Sequence, residues 1–208
     1  MLSDIQAVLF DMDGVLIDAQ EWHFEALNEA LAIFGFEITE NLHKEKFDGL
    51  STATKLDLLS EELSLPRHLH GVINKVKQDR TLRIAAKLCY PNLAHQVLID
   101  RLRERDIKIG VVTNSIRLTA EFMLTYAGVL EKLSVLITNQ DVGSPKPSPE
   151  GYFLAMAKLG VSPERTLIVE DGEYGVRAGK LTGATVIRVE SVNQVNLDLI
   201  AKHVSKLI

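Results

Sequence analysis

Acidic residues stand directly behind two short apolar runs of this sequence. The run 7–10 is followed by Asp11 and Asp13, and the run 166–169 is followed by Glu170 and Asp171. Clustered carboxylates repel one another at neutral pH unless a cation lies among them, and oxygen ligands of this kind suit Mg²⁺. The sequence therefore predicts that Mg²⁺ is bound by Asp11, Asp13, Glu170 and Asp171.

Groups that can hold a phosphate accompany these carboxylates. Thr113 and Asn114 follow a further apolar run, 107–112, and Lys146 lies in a loop whose backbone is restricted by prolines. A lysine, a hydroxyl and loop N–H groups bind phosphate oxygens well. Together with a metal, the lysine also lets an anionic carboxylate approach an anionic phosphate. We therefore predict that Thr113, Asn114 and Lys146 bind the substrate through its phosphate.

Two catalytic roles are open to the pair Asp11 and Asp13. In an extended strand both side chains would share a face, but Gly14 permits a turn directly after the strand. Asp11 could then act as the nucleophile while Asp13 faces the leaving group as general acid and base. The alternative is an ordinary pair of turn aspartates, because Asp before Gly is a common turn former.

The elements that must position these residues are short strands alternating with helices. Near-continuous runs of Val, Ile and Leu are typical of strands covered on both faces. Helical patterns separate the later runs, which favours an α/β fold with a doubly wound, parallel, Rossmann-like sheet. In such sheets ligands bind beyond the carboxyl ends of the strands. The predicted strands lie within 7–10, 107–112, 133–137, 166–169 and 185–189.

Between the first two strands the pattern changes and only helical signals remain. Apolar spacing predicts helices over about 22–34, 51–63 and 72–82. We interpret this block as an inserted, all-helical cap domain. The predicted domains are a catalytic core of residues 1–16 and 85–208 and a cap of residues 17–84.

Composition and charge limit the expected binding partners and the expected cellular compartment of the protein. The formal net charge of the 208-residue chain is -5, which does not favour nucleic acid or an anionic membrane as a partner. No apolar run reaches 18 residues and the N-terminus lacks the pattern of a secretory signal, so we expect a cytoplasmic protein. The single cysteine, Cys89, excludes an intramolecular disulfide. The oligomeric state is left open.

In sequence order, four motifs resemble those of the haloacid dehalogenase superfamily. They are Asp11-Met12-Asp13-Gly14-Val15, Val112-Thr113-Asn114-Ser115, Lys146-Pro147 with Pro149, and Ile168-Val169-Glu170-Asp171 followed by Gly175. The helical insertion after the first motif is similar to the cap of the subgroup that holds phosphoglycolate phosphatases, sugar-phosphate phosphatases and beta-phosphoglucomutases. The resemblance covers nearly the whole chain.

Roles for the motif residues follow from this resemblance. It implies that Asp11 is phosphorylated and that Asp13 protonates the leaving oxygen, then activates water, while its backbone carbonyl binds metal. It also implies that Thr113 and Lys146 bind phosphate and that Glu170 and Asp171 bind Mg²⁺. Dehalogenases of the superfamily lack the second aspartate, so Asp13 favours phosphate chemistry over dehalogenation.

Two cap positions bear on which phosphate reaction is catalysed. His23, which we count among the candidate substrate-binding residues, matches a histidine that beta-phosphoglucomutases use to couple cap closure to proton positioning, although many phosphatases also carry it. Thr52 stands where the mutase has a phosphate-binding arginine, and Lys75 or Lys77 are candidate replacements for that arginine. We therefore expect a Mg²⁺-dependent hydrolase of a small phosphate ester, such as a sugar phosphate or a phosphoglycolate-like compound. The alternatives are a beta-phosphoglucomutase-type mutase and a non-catalytic relative that binds a phosphometabolite or a protein.

Overall fold

A parallel sheet forms the centre of the molecule. The computed structural model describes residues 4–47 and 49–207, apart from the side chains of Lys44 and Lys206. The strands are β1 (Ala7–Phe10), β2 (Lys108–Val112), β3 (Val135–Ile137), β4 (Thr166–Glu170) and β5 (Thr185–Arg188). The described residues form a five-stranded sheet in the order β3-β2-β1-β4-β5, and every pairing in it is parallel. The predicted doubly wound α/β fold is confirmed.

The sheet is covered by helices on both faces. The helices are α1 (Gln20–Ala32), α2 (Glu40–Leu42), α3 (Thr52–Glu62), α4 (His70–Leu88), α5 (Leu93–Glu104), α6 (Arg117–Tyr126), α7 (Glu150–Leu159), α8 (Glu173–Leu181) and α9 (Leu197–Ala201). A π-helical turn spans His43–Phe47, and 3₁₀ turns span Arg67–Leu69, Leu130–Lys132, Pro163–Arg165, Val192–Gln194 and Ser205–Leu207.

Alternation along β1 divides the core into two layers. Val8 and Phe10 pack with buried residues of α5, α6 and α9, whereas Ala7 and Leu9 pack with those of α7 and α8. Successive side chains of a strand point to opposite faces, so a strand buried on both faces is apolar throughout. This burial fixes β1 at the centre of the sheet, and with it the position of the residue that follows Phe10.

The helical block between β1 and β2 has a hydrophobic cluster of its own. Leu27 and Leu31 of α1, Leu56 of α3 and Ile73 of α4 are buried together there. A stripe of apolar residues spaced by three and four holds each helix to its neighbours. The division into a core and a cap of residues 17–84 stays a prediction, and α4 runs through its second boundary, with Ala85 buried in the core cluster.

Some element ends differ from the sequence-based expectation. Helix α4 extends to Leu88 rather than ending near residue 82, and it stops three residues before Pro91, where helical backbone is disfavoured. Strand β3 begins at Val135, two residues later than predicted. Among the described residues, no helix combines the length and apolar character that crossing a membrane requires.

Candidate active site

The predicted chemical residues meet where three neighbouring strands end. Asp11 directly follows β1 and its N–H donates to the Val169 carbonyl at 2.9 Å. Thr113 follows β2, and Glu170 is the last residue of β4. Because β2, β1 and β4 are adjacent and parallel, their carboxyl ends bring these side chains together.

A buried lysine joins two of the carboxylates. The Lys146 Nζ atom lies 2.5 Å from Asp11 Oδ1 and 2.6 Å from Glu170 Oε1. The exposed fractions of Lys146, Asp11 and Glu170 are only 7%, 9% and 2%. Charges this deeply buried are stable only when they are paired and hydrogen-bonded. Lys146 is therefore the cation that makes burial of these two acids possible.

Asn114 fixes the backbone of that lysine. The Lys146 N–H donates to Asn114 Oδ1 at 3.0 Å, and Asn114 Nδ2 donates to the Lys146 carbonyl at 3.2 Å. The same Nδ2 donates to the carbonyl of Gly49 in the cap at 2.8 Å. Asn114 also borders the cavity. Its predicted part in phosphate binding stays a prediction, while its contacts place it as a clamp on the Lys146 loop.

One ammonium does not balance the two acids. Burial raises the pKa of Glu170 to about 8, even though Lys146 lowers it, and burial likewise raises the pKa of Asp11. Desolvation penalises the charged form of each acid, and the two carboxylates also repel each other. A divalent cation between them would lower both pKa values, because it would stabilise the ionised forms.

Asp171 completes an acidic cluster of the kind that holds metal ions. One carboxylate oxygen each from Asp11, Glu170 and Asp171 lie within 4.8 Å of one another. Gln20 Nε2 donates to Asp171 Oδ2 at 2.7 Å, and the Gly172 N–H donates to Asp171 Oδ1 at 2.7 Å. These oxygen donors fit Mg²⁺, which prefers carboxylates together with waters and phosphate oxygens.

Two glycines make room for the acidic cluster. A Cβ atom at Gly14, whose φ is +83°, would lie 2.0 Å from Asp171 Oδ2. A Cβ atom at Gly175 would lie 2.0 Å from Glu170 Oε1. Any side chain at either position would displace a carboxylate, so both glycines are required for close approach, and the positive φ of Gly14 favours glycine there as well.

Asp13 faces the cap rather than the acidic cluster. Ser115 Oγ donates to Asp13 Oδ2 at 3.1 Å, and His23 Nε2 lies 3.0 Å from Asp13 Oδ1. His23 Nε2 lies within hydrogen-bonding distance of Asp13 Oδ1, although the two groups are poorly aligned. Lys77 Nζ lies 3.0 Å from His23 Nδ1. While Lys77 is protonated it can only donate, so Nδ1 then accepts and the neutral ring carries its proton on Nε2, towards Asp13.

These contacts set the charge states of Asp13 and His23. Burial opposes ionisation of Asp13, but His23 and Ser115 outweigh it and leave the pKa of Asp13 below its usual value. Burial and the neighbouring Lys77 lower the pKa of His23 despite the attraction of Asp13. Asp13 is thus ionised at neutral pH in the unliganded site, and His23 is neutral.

Core and cap residues enclose a cavity of about 110 Å³ over the acidic cluster. Its core side is lined by Asp11, Asp13, Thr113, Asn114, Ser115, Lys146, Glu170 and Asp171, and its cap side by Gln20, His23, Thr52, Lys55, Asn74, Lys77 and Gln78. A larger groove of about 820 Å³ runs along the cap–core junction past Asp18, Trp22 and Tyr90. The smaller cavity is the better candidate, because the carboxylates and lysines converge on it.

Sequence reasoning missed several residues of this site. Tyr152 is fully buried, donates its hydroxyl proton to Glu170 Oε1, and lies beneath Lys146, whose Nζ is 5.0 Å from the ring centroid. The sequence of α7 contains a signal for its burial, because Tyr152 shares a helix face with Ala155, Met156 and Leu159. Gln20 and Lys55 carry no such signal, since each acts through a partner distant in sequence.

Comparisons with known proteins identify the family and the fold of this chain. Residues 8–189 match the model of a family described as haloacid dehalogenase-like hydrolase. A phosphorylated carbohydrates phosphatase of Thermotoga maritima is 29% identical over 86% of this chain and 82% of the relative. A beta-phosphoglucomutase of Bacillus subtilis is 25% identical over 98% of this chain and 92% of the relative. A crystal structure of beta-phosphoglucomutase from Clostridium difficile superposes with a TM-score of 0.84, covers 96% of both chains, and at 21% identity shows the shared fold.

The hydrogen bond from Gln20 to Asp171 can be tested through metal affinity. Gln20→Ala removes the donor that holds Asp171 Oδ2, and loss of such an outer partner typically weakens metal binding by 10- to 100-fold. We expect roughly a tenfold weaker affinity for Mn²⁺, used as a paramagnetic substitute for Mg²⁺, in an electron paramagnetic resonance titration. Gln96→Ala, which removes a contact to the Ala127 carbonyl, is the control and should bind Mn²⁺ like wild type. Equal affinity of all three proteins would contradict this role of Gln20.

The buried Lys77 predicts a pH dependence of stability. Burial, together with repulsion from Lys55, lowers the pKa of Lys77 from 10.5 to about 7. Between these values the unfolded chain binds more protons than the folded protein, so the free energy of unfolding rises with pH. Below about 7 both states are charged, and above 10.5 both are neutral, so this contribution to the slope vanishes.

Urea unfolding with EDTA from pH 7 to 10 measures this effect. The free energy of unfolding of the wild type should rise more steeply with pH than that of Lys77→Met, because the variant lacks the titrating group. Lys75→Met, at an exposed position of the same helix, should retain the slope of the wild type. Parallel curves for the wild type and Lys77→Met would show that Lys77 keeps an ordinary pKa.

Proposed function

The chain belongs to the haloacid dehalogenase-like hydrolases and, among them, to the phosphatase-like enzymes, and from that premise we propose that it hydrolyses a small phosphate monoester. The reaction proceeds through an aspartyl-phosphate on Asp11 and requires Mg²⁺. The resemblance read from the four motifs is thereby confirmed at the level of the family. We propose the substrate class, the aspartyl-phosphate intermediate and the requirement for Mg²⁺ in addition to this family membership.

One observation carries this proposal, namely the surroundings of the Asp11 carboxylate. It follows the central strand, lies 2.5 Å from the Lys146 ammonium, and shares a cluster with Glu170 and Asp171. An isolated turn aspartate needs neither a buried lysine nor two further acids beside it. A nucleophile that must meet an anionic phosphate needs both positive charge and a fixed orientation.

In the first step a carboxylate oxygen of Asp11 forms a bond to phosphorus. The bond between phosphorus and the ester oxygen breaks, and Asp13, protonated in the substrate complex, gives its proton to the departing oxygen. Although Asp13 is ionised in the unliganded site, a phosphate dianion beside it would raise its pKa and favour the protonated form. Lys146, Thr113 and the N–H groups of their loops hold the remaining phosphate oxygens.

In the second step Asp13 acts as the base. It takes a proton from a water molecule, the water oxygen bonds to phosphorus, and the bond to Asp11 breaks. The products are inorganic phosphate and free Asp11, while Asp13 has regained the proton that it gave to the alcohol. Ser115 and His23 hold the two oxygens of Asp13 in place for both transfers.

Three side chains and one carbonyl would hold the metal. We assign Asp11, Glu170 and Asp171 as ligands through their carboxylates, and Asp13 through its backbone carbonyl. When bound, Mg²⁺ neutralises charge on the phosphate and on the attacking carboxylate. The clustering of three carboxylate oxygens within 4.8 Å of one another supports this assignment. Burial, and to a lesser extent Asp11, raises the pKa of Glu170 to about 8, and a cation beside it would favour its ionised form.

The size and lining of the cavity support a small polar substrate. Its volume of about 110 Å³ would hold roughly eight waters, which corresponds to a phosphate ester of a few carbon atoms. The Thermotoga maritima relative is a phosphatase of phosphorylated carbohydrates. We therefore propose sugar phosphates and phosphoglycolate-like esters as the first substrates to test.

Replacing Asp11 tests the proposed nucleophile. Asp11→Asn keeps the size of the side chain but removes its charge, and we expect phosphate release to fall by at least 1,000-fold, on the order of the loss of one catalytic group. Release of inorganic phosphate from a panel of esters with Mg²⁺ is the measurement, and EDTA should abolish it in the wild type. Asp18→Asn, at an exposed position of the same segment, should retain activity. Near-normal turnover by Asp11→Asn would rule out the covalent route.

The contact between His23 and Asp13 favours a second candidate function. A mutase must protect the phosphoenzyme from water and couple cap position to the proton on Asp13, and His23 lies 3.0 Å from Asp13 Oδ1. Thr52, which lines the cap side of the cavity where the mutase has an arginine, weighs against it. We therefore retain beta-phosphoglucomutase-type isomerisation as the alternative.

One assay separates the two functions. With beta-glucose 1-phosphate as substrate and the glucose bisphosphate as primer, a mutase yields the 6-phosphate isomer. We expect free phosphate without the isomer, because Thr52 supplies no charge at the position where the mutase has an arginine. Accumulation of glucose 6-phosphate faster than phosphate would reverse the assignment.

A further inference from the structure

A buried tyrosine behind the acidic cluster carries a polar group that packing does not require. Tyr152 of α7 is fully buried, and its ring belongs to the hydrophobic cluster that α7 and α8 form against the sheet. A phenylalanine would fill nearly the same space, whereas a buried hydroxyl costs free energy unless it is hydrogen-bonded. The partner of this hydroxyl is Glu170 Oε1. The phenol oxygen is therefore placed against an acid of the proposed active site.

Close packing of α7 on the sheet fixes the position of that hydroxyl. A Cβ atom at Gly151 would lie 2.9 Å from Val112 Cγ1, so glycine lets the helix approach the sheet directly before Tyr152. The ring shares its cluster with Leu9 of β1 and Ile168 of β4. A tyrosine side chain has only two rotatable bonds, and a close-packed core restricts both. The hydroxyl is thus a donor in a fixed place.

Two donors meet at one oxygen of Glu170. Lys146 Nζ donates to Oε1 at 2.6 Å, and the Tyr152 hydroxyl donates to the same atom. Within residues 4–47 and 49–207, no hydrogen bond from the protein reaches Oε2. The carboxylate cannot exchange its two oxygens without breaking both contacts, which weaken steeply as they lose alignment. Oε2 is therefore the oxygen left for a cation in the acidic cluster.

The ring of Tyr152 contacts the lysine as well. Lys146 Nζ lies 5.0 Å from the ring centroid, which is within the range of a cation–π attraction. The same ammonium contacts Asp11 Oδ1. One phenol thus touches the acid through its hydroxyl and the lysine through its ring, and it fixes the position of each relative to the other. Tyr152 itself does not line the cavity.

We propose that Tyr152 is a positioning residue of the active site. Its hydroxyl holds Glu170 Oε1 and leaves Oε2 for the metal, and its ring holds the Lys146 ammonium against Asp11. The inference rests on the proposed function, because it takes Glu170 as a ligand of Mg²⁺. Since Tyr152 acts through Glu170 and Lys146 from behind the cavity, loss of its hydroxyl should weaken metal binding before it slows the chemical step.

Tyr152→Phe tests the hydroxyl, because it removes one oxygen and keeps the ring. We expect the affinity for Mn²⁺, measured without substrate by electron paramagnetic resonance, to fall by roughly tenfold or more, as for other outer partners of metal ligands. The Mg²⁺ concentration that gives half-maximal phosphate release should rise by a similar factor. At saturating Mg²⁺, kcat should stay within about threefold of the wild type, since no group that touches the reacting atoms is lost.

Tyr152→Leu tests the ring, because it removes the aromatic face as well as the hydroxyl. We expect kcat at saturating Mg²⁺ to fall by roughly fivefold or more relative to Tyr152→Phe, on the order of one buried cation–π contact. Circular dichroism checks that both variants fold. Equal kcat values of the two variants at saturating Mg²⁺ would overturn the role of the ring.

A matched control separates positioning from a structural role. Tyr90→Phe removes a hydroxyl from a side chain that is 76% exposed, and it should bind Mn²⁺ like the wild type. A merely structural role would lower the free energy of unfolding of Tyr152→Phe, measured with urea and EDTA, without changing Mn²⁺ affinity. Equal Mn²⁺ affinity of Tyr152→Phe and the wild type would therefore overturn the positioning role.

Failure of the proposed function gives a different result. A wild type that binds Mn²⁺ but releases phosphate from no ester would overturn the hydrolase proposal, and the Mn²⁺ affinities of Tyr152→Phe and the wild type would still decide the role of the hydroxyl. A wild type that binds no Mn²⁺ would overturn both.

Discussion

The ion pair of Lys146 with Asp11 and Glu170 is the interaction on which the site depends. Burial of a carboxylate costs several kcal/mol unless a cation and hydrogen bonds compensate for it. Here one ammonium, 2.5 Å and 2.6 Å from two carboxylates, supplies part of that compensation. Asn114 holds the lysine backbone and Tyr152 donates to Glu170. Much of the surrounding structure thus keeps one cation between two acids.

The parallel sheet explains why such a cluster can exist at all. Carboxyl ends of adjacent strands lie side by side, so Asp11, Thr113 and Glu170 need no long loops to meet. Rigid strands buried on both faces also limit how far the acids can separate in response to their repulsion. The fold therefore holds carboxylates in an unfavourable arrangement of charge that a bound cation would relieve.

Much of this site could be predicted from the sequence, because the end of each strand is marked by a short local pattern of residues. Apolar runs locate the strands, and the residues that follow a strand in a parallel sheet lie at its binding edge, so Asp11, Asp13, Thr113 and Asp171 could be identified from position alone. Lys146 could be identified because the prolines of its loop restrict where that loop can go. The family resemblance added the separate roles of the two aspartates.

Other parts of the site could not be read from the sequence, because they depend on tertiary contacts. Gln20 reaches Asp171 across 151 positions, and Lys55 meets the cavity only because α3 packs over the core. A lysine on an amphipathic helix is normally solvated, so the pattern predicts exposure for Lys55, whereas the family resemblance singles out Lys77 together with Lys75. The end of α4 was also missed, since its last turn packs on the core rather than within the helical cluster.

The length of α4 has a mechanical consequence. The helix carries Ile73 in the cap cluster and Ala85 in the core cluster, so it is a rigid arm shared by both. With a rise of 1.5 Å per residue, a rotation of about 10° about its Leu88 end would move Lys77 by about 3 Å. That displacement is as long as the 3.0 Å contact between Lys77 and His23. A slight tilt of α4 would therefore move Lys77 away from His23. The two residues line the same cavity at only one orientation of this helix.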